Sequence, residues 1–363
     1  MHRSIRTATL ALLLGLLVGG FLESPYSTAN ARSSGELLVF SGRKEPLLAP
    51  VLRLFRERTG VRVTVKFGKA TALAQEILQL QQLGREVPDV FVSNDAGTLE
   101  FLRLKGGLRP YLSEGIERIP EPYRARDGSW LGVSARSRAV LYNRALVSPE
   151  ELPTTVFDLI HPRWEGRIVA TNAGNESFVA WVTALRLTLG DELVRVFLEK
   201  LKENGIALIS NSHTDVRKAV GRGEFAVGLI NHYYYHFQRN EPDPALRDVG
   251  ILYHDQGPFQ MGTFLNAAGA GIVRGAPHRE EAERFLDFLA SPEAQQLFAE
   301  LNFEYPLLPG VPAHPDVEAE VREATGCRSA TILECLKALP VPLDALGPEL
   351  EATQRLLEEV DWF

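Results

Sequence analysis

The segment WLGVSARSRAVLYNRALV, residues 130–147, decides how the chain is divided. It is long and strand-like, and short strands alternate with amphipathic helices on both sides of it. The apolar run 36–42 and the alternating run 61–68, for example, enclose a helical pattern that stops at Gly60. Such alternation predicts a parallel sheet covered by helices. At 363 residues the chain is too long for one ordinary core, so we interpret 130–147 as the crossing between two α/β lobes.

A second crossing is predicted at GTFLNAAGAGIV, residues 262–273, a run of small and apolar residues. The fold class is therefore α/β, with two lobes joined by crossing β-strands and a ligand cleft between them. We expect the chain to form a discontinuous first lobe at 36–133 and 265–312, a second lobe at 134–264, and a C-terminal helical tail at 313–363.

The first residues have the pattern of an export signal. Residues 1–31 combine a basic start, an apolar run and the small-x-small site Ala29-Asn30-Ala31, which predicts a cleaved signal peptide and a periplasmic protein. No cysteine lies near that site, so we expect no lipid anchor. In an exported chain the two cysteines, Cys327 and Cys335, are expected to form a local disulfide. The net charge of -7 argues against a nucleic-acid partner.

The stretch GLINHYYYHFQRNEP, residues 228–242, holds three consecutive tyrosines out of nine in the chain. They close the predicted strand FAVGLINHYYY, at the end of the strand where a ligand would lie. Phenolate is a hard anionic donor that suits a hard cation such as Fe(III). Adjacent strand residues face opposite sides, so Tyr233 and Tyr234 can share one ion only if the strand ends there. An aromatic cage for an organic cation and simple packing are the alternatives.

Several residues near the predicted cleft favour an anion. Arg136 and Arg138 alternate on the crossing segment and so share one face, and Arg43 lies where the first strand meets its helix. Asn175 and Ser177 precede a helix in the loop TNAGNESF. A solvated strand face and ordinary helix capping are the alternatives.

Enzyme motifs are absent from the sequence. It contains no G-x-S-x-G, H-E-x-x-H or P-loop, and no nucleophile–base pair can be assembled from it. We therefore expect a binding protein rather than a secreted transferase or hydrolase.

The motifs VPDVFVSNDAGTLEFL, GVSARSRAVLYN, VGLINHYYYHF and LASPEAQQLFAELNFEYPLLPGV, in this order within residues 36–312, are similar to those of a known family. The chain resembles the periplasmic ferric-iron-binding proteins of ABC importers, the bacterial transferrin-like group. The resemblance implies a type II periplasmic-binding-protein fold that closes on Fe(III) and passes it to an inner-membrane ABC permease. It implies Tyr142, Tyr233 and Tyr234 as metal ligands, while Tyr235 packs.

The sequence departs from this family in the first lobe. Many members carry a His, often followed by a Tyr, after the first strand, where this chain has Lys44 and Glu45. Some carry a Glu after the third strand, where this chain has Asn94 and Asp95. Glu45 or Asp95 as a further oxygen ligand is one interpretation of these changes.

The other interpretation is a subset of the family that uses three tyrosines of the second lobe and a synergistic anion such as carbonate. Arg43 and Arg136 would then balance the charge of the anion. The remaining alternative is a different solute, an organic cation such as thiamine or a polyamine held by an aromatic cage. We expect the protein to be a monomer.

Overall fold

The computed structural model describes residues 35–363, and the predicted signal peptide lies outside the described residues. The strands are β1 (Glu36–Ser41), β2 (Arg62–Phe67), β3 (Val90–Ser93), β4 (Leu108–Arg109), β5 (Leu131–Asn143), β6 (Ile168–Thr171), β7 (Ala207–Ser210), β8 (Val227–Asn231), β9 (Val249–Leu252) and β10 (Leu265–Val273). The α-helices are α1 (Glu45–Thr59), α2 (Ala70–Gln82), α3 (Ala96–Leu104), α4 (Glu114–Glu117), α5 (Glu176–Leu189), α6 (Asp191–Glu203), α7 (His213–Gly221), α8 (Tyr233–Arg239), α9 (Arg279–Leu289), α10 (Pro292–Asn302), α11 (Pro315–Thr325) and α12 (Leu346–Glu359). Within this described part, no helix has the length and apolar character needed to cross a membrane.

Strand β5 belongs to both halves of the molecule. The strand order is β2-β1-β3-β10-β5-β8-β6-β7, with β4 beside β10 and β9 beside β5. The first part of β5, up to Ser137, pairs with β10, and the part from Arg138 onward pairs with β8 and β9. β1, β2 and β3 are parallel on one side, and β6, β7 and β8 are parallel on the other. The predicted α/β class with crossing strands is confirmed, and the partner change lies a few residues after the predicted lobe boundary at 133.

The helices cover this sheet with one apolar face each. Helix α1 buries Leu48, Val51, Leu52 and Phe55, which recur at helical spacing, and it ends at Gly60 in the left-handed conformation (φ 73°). Because a residue with a Cβ is strained at that φ, glycine is the natural end of this helix.

The C-terminal tail joins the two lobes. Cys327 and Cys335 form a disulfide with Cα atoms 5.2 Å apart. Farther on, α12 packs against α3 of the first lobe and α5 of the second. The indole ring of Trp362 stacks on Phe178 at 5.2 Å between ring centroids, and its Nε1 donates to the Thr171 carbonyl at 3.2 Å. The predicted helical tail is thus part of the packed core.

We expect Trp362→Ala to lower the free energy of unfolding by about 3–5 kcal/mol, because it removes a fully buried aromatic ring and leaves a cavity. Urea unfolding followed by circular dichroism measures the change. Phe363→Ala, at a neighbouring ring that is 60% exposed, is the matched control and should change stability little. Equal effects of the two substitutions would show that the tail is not anchored through Trp362.

Candidate functional site

A cavity of about 210 Å³ lies where the two lobes meet. The segments that follow six parallel strands, β1, β2, β3, β6, β7 and β8, all contribute residues to its wall. Representative lining residues from these loops, in chain order, are Arg43, Asn94, Asn175, Ser212 and Tyr233. Carboxyl ends of strands are the usual ligand edge of such sheets, so this cavity is the candidate functional site.

The tyrosine pair lies in the first turn of a helix. Strand β8 ends at Asn231 and α8 begins at Tyr233, so the prediction that the strand continues through Tyr235 was wrong. The rings of Tyr233 and Tyr234 are 4.5 Å apart between centroids, each residue is 7% exposed, and both line the cavity. Tyr235 does not line the cavity. The break that a shared ion requires is therefore present directly before the pair.

The tyrosines lie in a buried environment that is rich in positive charge. Burial, and then the neighbouring Tyr233, raise the pKa of Tyr234 well above its ordinary value. The positive charge of Arg217 acts in the opposite direction and lowers the pKa of Tyr234. Without a bound cation the Tyr234 phenol is protonated at neutral pH, and it becomes an anionic ligand only when a cation replaces its proton.

Two histidines fix α8 in position. The His232 ring stacks flat on Tyr305 at 3.9 Å, its Nδ1 accepts from the Ser137 N–H at 3.2 Å, and its Nε2 donates to the Phe303 carbonyl at 2.8 Å. Burial lowers the pKa of His232 well below its ordinary value, so the ring is neutral and suits this donor–acceptor pattern. His236 stacks on Phe303 at 4.9 Å. These contacts make the base of the tyrosine pair rigid.

Both arginines predicted to bind an anion line the cavity. Arg43 is 3% exposed; it pairs with Glu304 at 2.6 Å and donates to the Ser134 hydroxyl at 3.2 Å. Arg136 is also 3% exposed and donates to the Asn94 carbonyl, while its Nη1 has no hydrogen-bond partner in the described part of the chain. Sequence reasoning missed Glu304, whose partner lies 261 positions away in the chain.

Arg138 lies behind the cavity instead of lining it. Its Nη1 lies 3.1 Å from His213 Nε2 and 3.2 Å from the Asn231 side-chain oxygen, and its guanidinium lies over the Trp181 ring. Burial lowers the pKa of Arg138 to about 9. Arg138 therefore supports the cavity wall through His213.

The structure does not bring Tyr142 to the tyrosine pair. In the antiparallel register of β5 and β8, Tyr142 lies opposite Val227 at the start of β8, whereas Tyr233 follows the end of that strand. Val227 and Asn231 are four residue steps apart along the strand, a distance of about 13 Å. The Tyr142 ring instead lies directly over Gly250 of β9, where a Cβ would collide with it. The prediction that Tyr142 shares an ion with the pair is corrected by this register.

The two first-lobe carboxylates also lie outside the cavity. Glu45 is exposed in the first turn of α1 and borders a separate surface groove. Asp95 caps α3: its Oδ1 accepts from the Thr98 N–H and its Oδ2 from the Thr98 hydroxyl, both at 2.8 Å. Neither carboxylate lines the cavity, so the structure places neither of them beside the tyrosine pair.

Asn175 and Ser177 do line the cavity. Asn175 also caps α5 by accepting a hydrogen bond from the Phe178 N–H at 2.9 Å, so the same side chain caps the helix and lines the cavity. Sequence reasoning missed Lys69, Glu176 and His213 as lining residues. In residues 35–363 no group of three or more His, Cys, Asp or Glu side chains could hold a metal ion.

The chain is similar to several known proteins. Residues 85–325 match the family model described as bacterial extracellular solute-binding protein. The chain is 32% identical to iron uptake protein A1 of Synechocystis sp., over 90% of this chain and 87% of that one. It is 27% identical to the Fe(3+)-binding periplasmic protein of Serratia marcescens, over 85% and 91% of the two chains.

Solved structures give the same picture. A Trichodesmium protein in complex with iron and citrate superposes with a TM-score of 0.75 at 29% identity, covering 91% of this chain and all of that one. The apo ferric ion-binding protein A of Pasteurella haemolytica superposes with a TM-score of 0.79 at 25% identity, covering 90% and 98% of the two chains. The predicted type II binding-protein fold is thereby confirmed.

We expect Glu304→Gln to lower the free energy of unfolding by about 3–5 kcal/mol, because it leaves the Arg43 guanidinium buried without its counter-charge. Glu300→Gln, at an exposed position of the preceding helix α10, is the control and should be near neutral. Urea unfolding measures both changes. A loss below about 1 kcal/mol at Glu304 would show that this pair behaves like an exposed ion pair.

Proposed function

Because the chain belongs to the bacterial extracellular solute-binding protein family, we propose that it captures Fe(III) in the interlobe cleft for import. The observation that carries the proposal is the pair Tyr233 and Tyr234, whose buried rings lie side by side in the cavity wall. Phenolate oxygens are hard donors, and among common biological cations Fe(III) fits them best. The names of the relatives, which concern iron uptake and Fe(3+) binding, support the same cargo.

Two phenolates do not complete the coordination of Fe(III). They leave the ion with one net positive charge and with open positions, which an oxyanion such as carbonate can fill as a synergistic ligand. Arg43 and Arg136 line the same cavity and would compensate the charge of the anion. The same arginines disfavour the alternative of an organic cation such as thiamine or a polyamine, which they would repel.

The arrangement of the two lobes provides a way to deliver the bound iron. Parts of both lobes line the cavity, so a ligand bound there stabilises the closed state by its differential affinity for that state. We propose that an ABC permease in the inner membrane recognises the closed, loaded form of a periplasmic monomer. Catalysis has no part in this function.

We expect Tyr233→Phe and Tyr234→Phe each to weaken Fe(III) binding more than 100-fold, since each removes a direct ligand and even partners of ligands are worth about 10–100-fold. Titration of apo-protein with ferric citrate, followed through the visible phenolate-to-iron absorption band, measures the loss. Each variant should also weaken or abolish that band.

The controls for this experiment are two phenols outside the cavity. Tyr235→Phe and Tyr142→Phe should keep wild-type affinity and absorption. Equal losses at Tyr233, Tyr234 and Tyr235 would indicate an aromatic cage, and absence of the band in the wild type would refute tyrosinate ligation.

We expect iron binding to release at least the proton of Tyr234, so that acidification weakens binding by about 10-fold or more per pH unit. The sign follows from the raised pKa of Tyr234, whose phenol is protonated in the free protein and must lose its proton to bind. Calorimetry in buffers of different ionisation enthalpy counts the protons. Tyr234→Phe should release one proton fewer than the wild type, and binding that is independent of pH would contradict phenolate ligands.

A further inference from the structure

His232 connects the tyrosine pair to the strand that crosses between the lobes. Its backbone N–H donates to the Ser137 carbonyl at 3.0 Å, and its ring Nδ1 accepts from the Ser137 N–H at 3.2 Å. Ser137 is the last residue of β5 in register with β10, and Arg138 is the first in register with β8. His232 is therefore bonded to β5 at the point where this strand passes from one lobe to the other.

The remaining ring contacts of His232 are with the segment after α10. Its Nε2 donates to the Phe303 carbonyl at 2.8 Å, and its ring lies 3.9 Å from the Tyr305 ring with the two planes only 4° apart. Because Nδ1 accepts a hydrogen bond, the proton lies on Nε2, where the bond to Phe303 requires it. Both nitrogens and the ring face of one side chain are thus used for contacts outside α8.

The segment 302–305 is itself bonded to the first lobe. The Asn302 side chain donates to the Leu47 carbonyl of α1 at 2.9 Å, and Glu304 pairs with Arg43 of the cavity wall at 2.6 Å. The alternate residues of the segment are those that contact His232. The segment therefore joins the Arg43 side of the cavity to the helix that carries the tyrosine pair.

Phe303 ends α10 in the left-handed conformation (φ 58°), a position where glycine is usual. This conformation costs free energy for a bulky residue, and such strain is found most often at functional sites. The Phe303 ring stacks on His236 at 4.9 Å and meets the Phe237 ring at 5.7 Å. Both the carbonyl and the ring of Phe303 are thus held against α8.

The contacts of α8 with this segment set the direction of the phenols. His232 directly precedes Tyr233, and the two rings meet edge to face at 5.8 Å between centroids. The rings of Tyr233 and Tyr234 also meet the Phe237 ring edge to face, at 5.9 Å and 6.0 Å. A rotation of His232 would therefore move the start of α8 and the Tyr233 phenol with it.

We propose that His232 is a positioning residue of the iron site, which orients Tyr233 through its bond to Phe303 and so couples phenolate ligation to the position of the first lobe. The inference rests on the proposed function, since it takes Tyr233 and Tyr234 as the iron ligands. His232 does not line the cavity, so it acts through Tyr233. Because coupling is reciprocal, iron at the tyrosine pair favours one arrangement of the lobes, and that arrangement favours iron.

His232→Leu tests this role, because it removes both side-chain hydrogen bonds and the flat stack but leaves the tyrosine pair in place. We expect the variant to bind iron about 10-fold or more weakly than the wild type, as for other groups that orient metal ligands. The maximum of the phenolate-to-iron absorption band should shift, and the decrease in radius of gyration on iron binding should be smaller. Titration with ferric citrate and small-angle X-ray scattering measure these changes.

Two further variants identify the bond that carries the coupling. His232→Gln can place an amide N–H where Nε2 donates to Phe303, whereas His232→Asn can place an oxygen where Nδ1 accepts from Ser137. We expect His232→Gln to restore the wild-type band and most of the iron affinity, and His232→Asn to restore neither. Equal behaviour of the two variants would overturn the inference, and the comparison also decides if His232→Leu does not fold.

His254→Leu is the matched control. His254 is a second buried histidine, 1% exposed, which bonds to Asp255 at 2.6 Å and lies outside the cavity. The substitution should lower stability in urea but keep the iron affinity, the band and the scattering change.

The outcomes separate the inference from the proposed function. Wild-type affinity and absorption in His232→Leu, or the same losses in His254→Leu, would assign His232 a structural role only. Absence of the band in the wild type would refute the proposed function instead.

Discussion

The whole architecture depends on the hydrogen bonding of one strand. β5 pairs with β10 up to Ser137 and with β8 and β9 from Arg138, so a single extended segment holds the sheets of both lobes. This arrangement directs the carboxyl ends of the parallel strands of each lobe toward the other lobe. Loops from β1, β3, β6, β7 and β8 therefore meet in one cavity, although they come from distant parts of the chain.

Local features of the site could be predicted from the sequence. The alternation of strands and helices gave the fold class, and the tyrosine run after a strand located the ligand edge, because both depend on neighbours in the chain. The tyrosine run also indicated that a strand ends nearby. The exact end of β8 at Asn231, however, depends on how His232 stacks on Tyr305, a residue 73 positions later. Such long-range packing leaves no local pattern.

Errors arose where register or capping decided the outcome. Tyr142 has the right chemistry, but the antiparallel pairing with β8 places it at the opposite end of that strand from the tyrosine pair. Asp95 has a suitable carboxylate, but the start of α3 uses both of its oxygens. Glu304 was not considered, since only the folded chain shows that it neutralises Arg43. The structure nevertheless brings the tyrosine pair and the arginines Arg43 and Arg136 together in one cavity.

The C-terminal tail forms a third connection between the two lobes, besides β5 and β10. Hydrogen bonds tie the tail to the second lobe: the hydroxyls of Thr353 in α12 and Thr183 bond at 2.8 Å, and just after α12 the Lys202 ammonium donates to the Asp361 carbonyl at 2.7 Å. Toward the first lobe, Gly347 only allows close backbone approach to Phe101. Helix α12 packs on both lobes at once, so any change in the relative position of the lobes must also change its packing against α3 or α5.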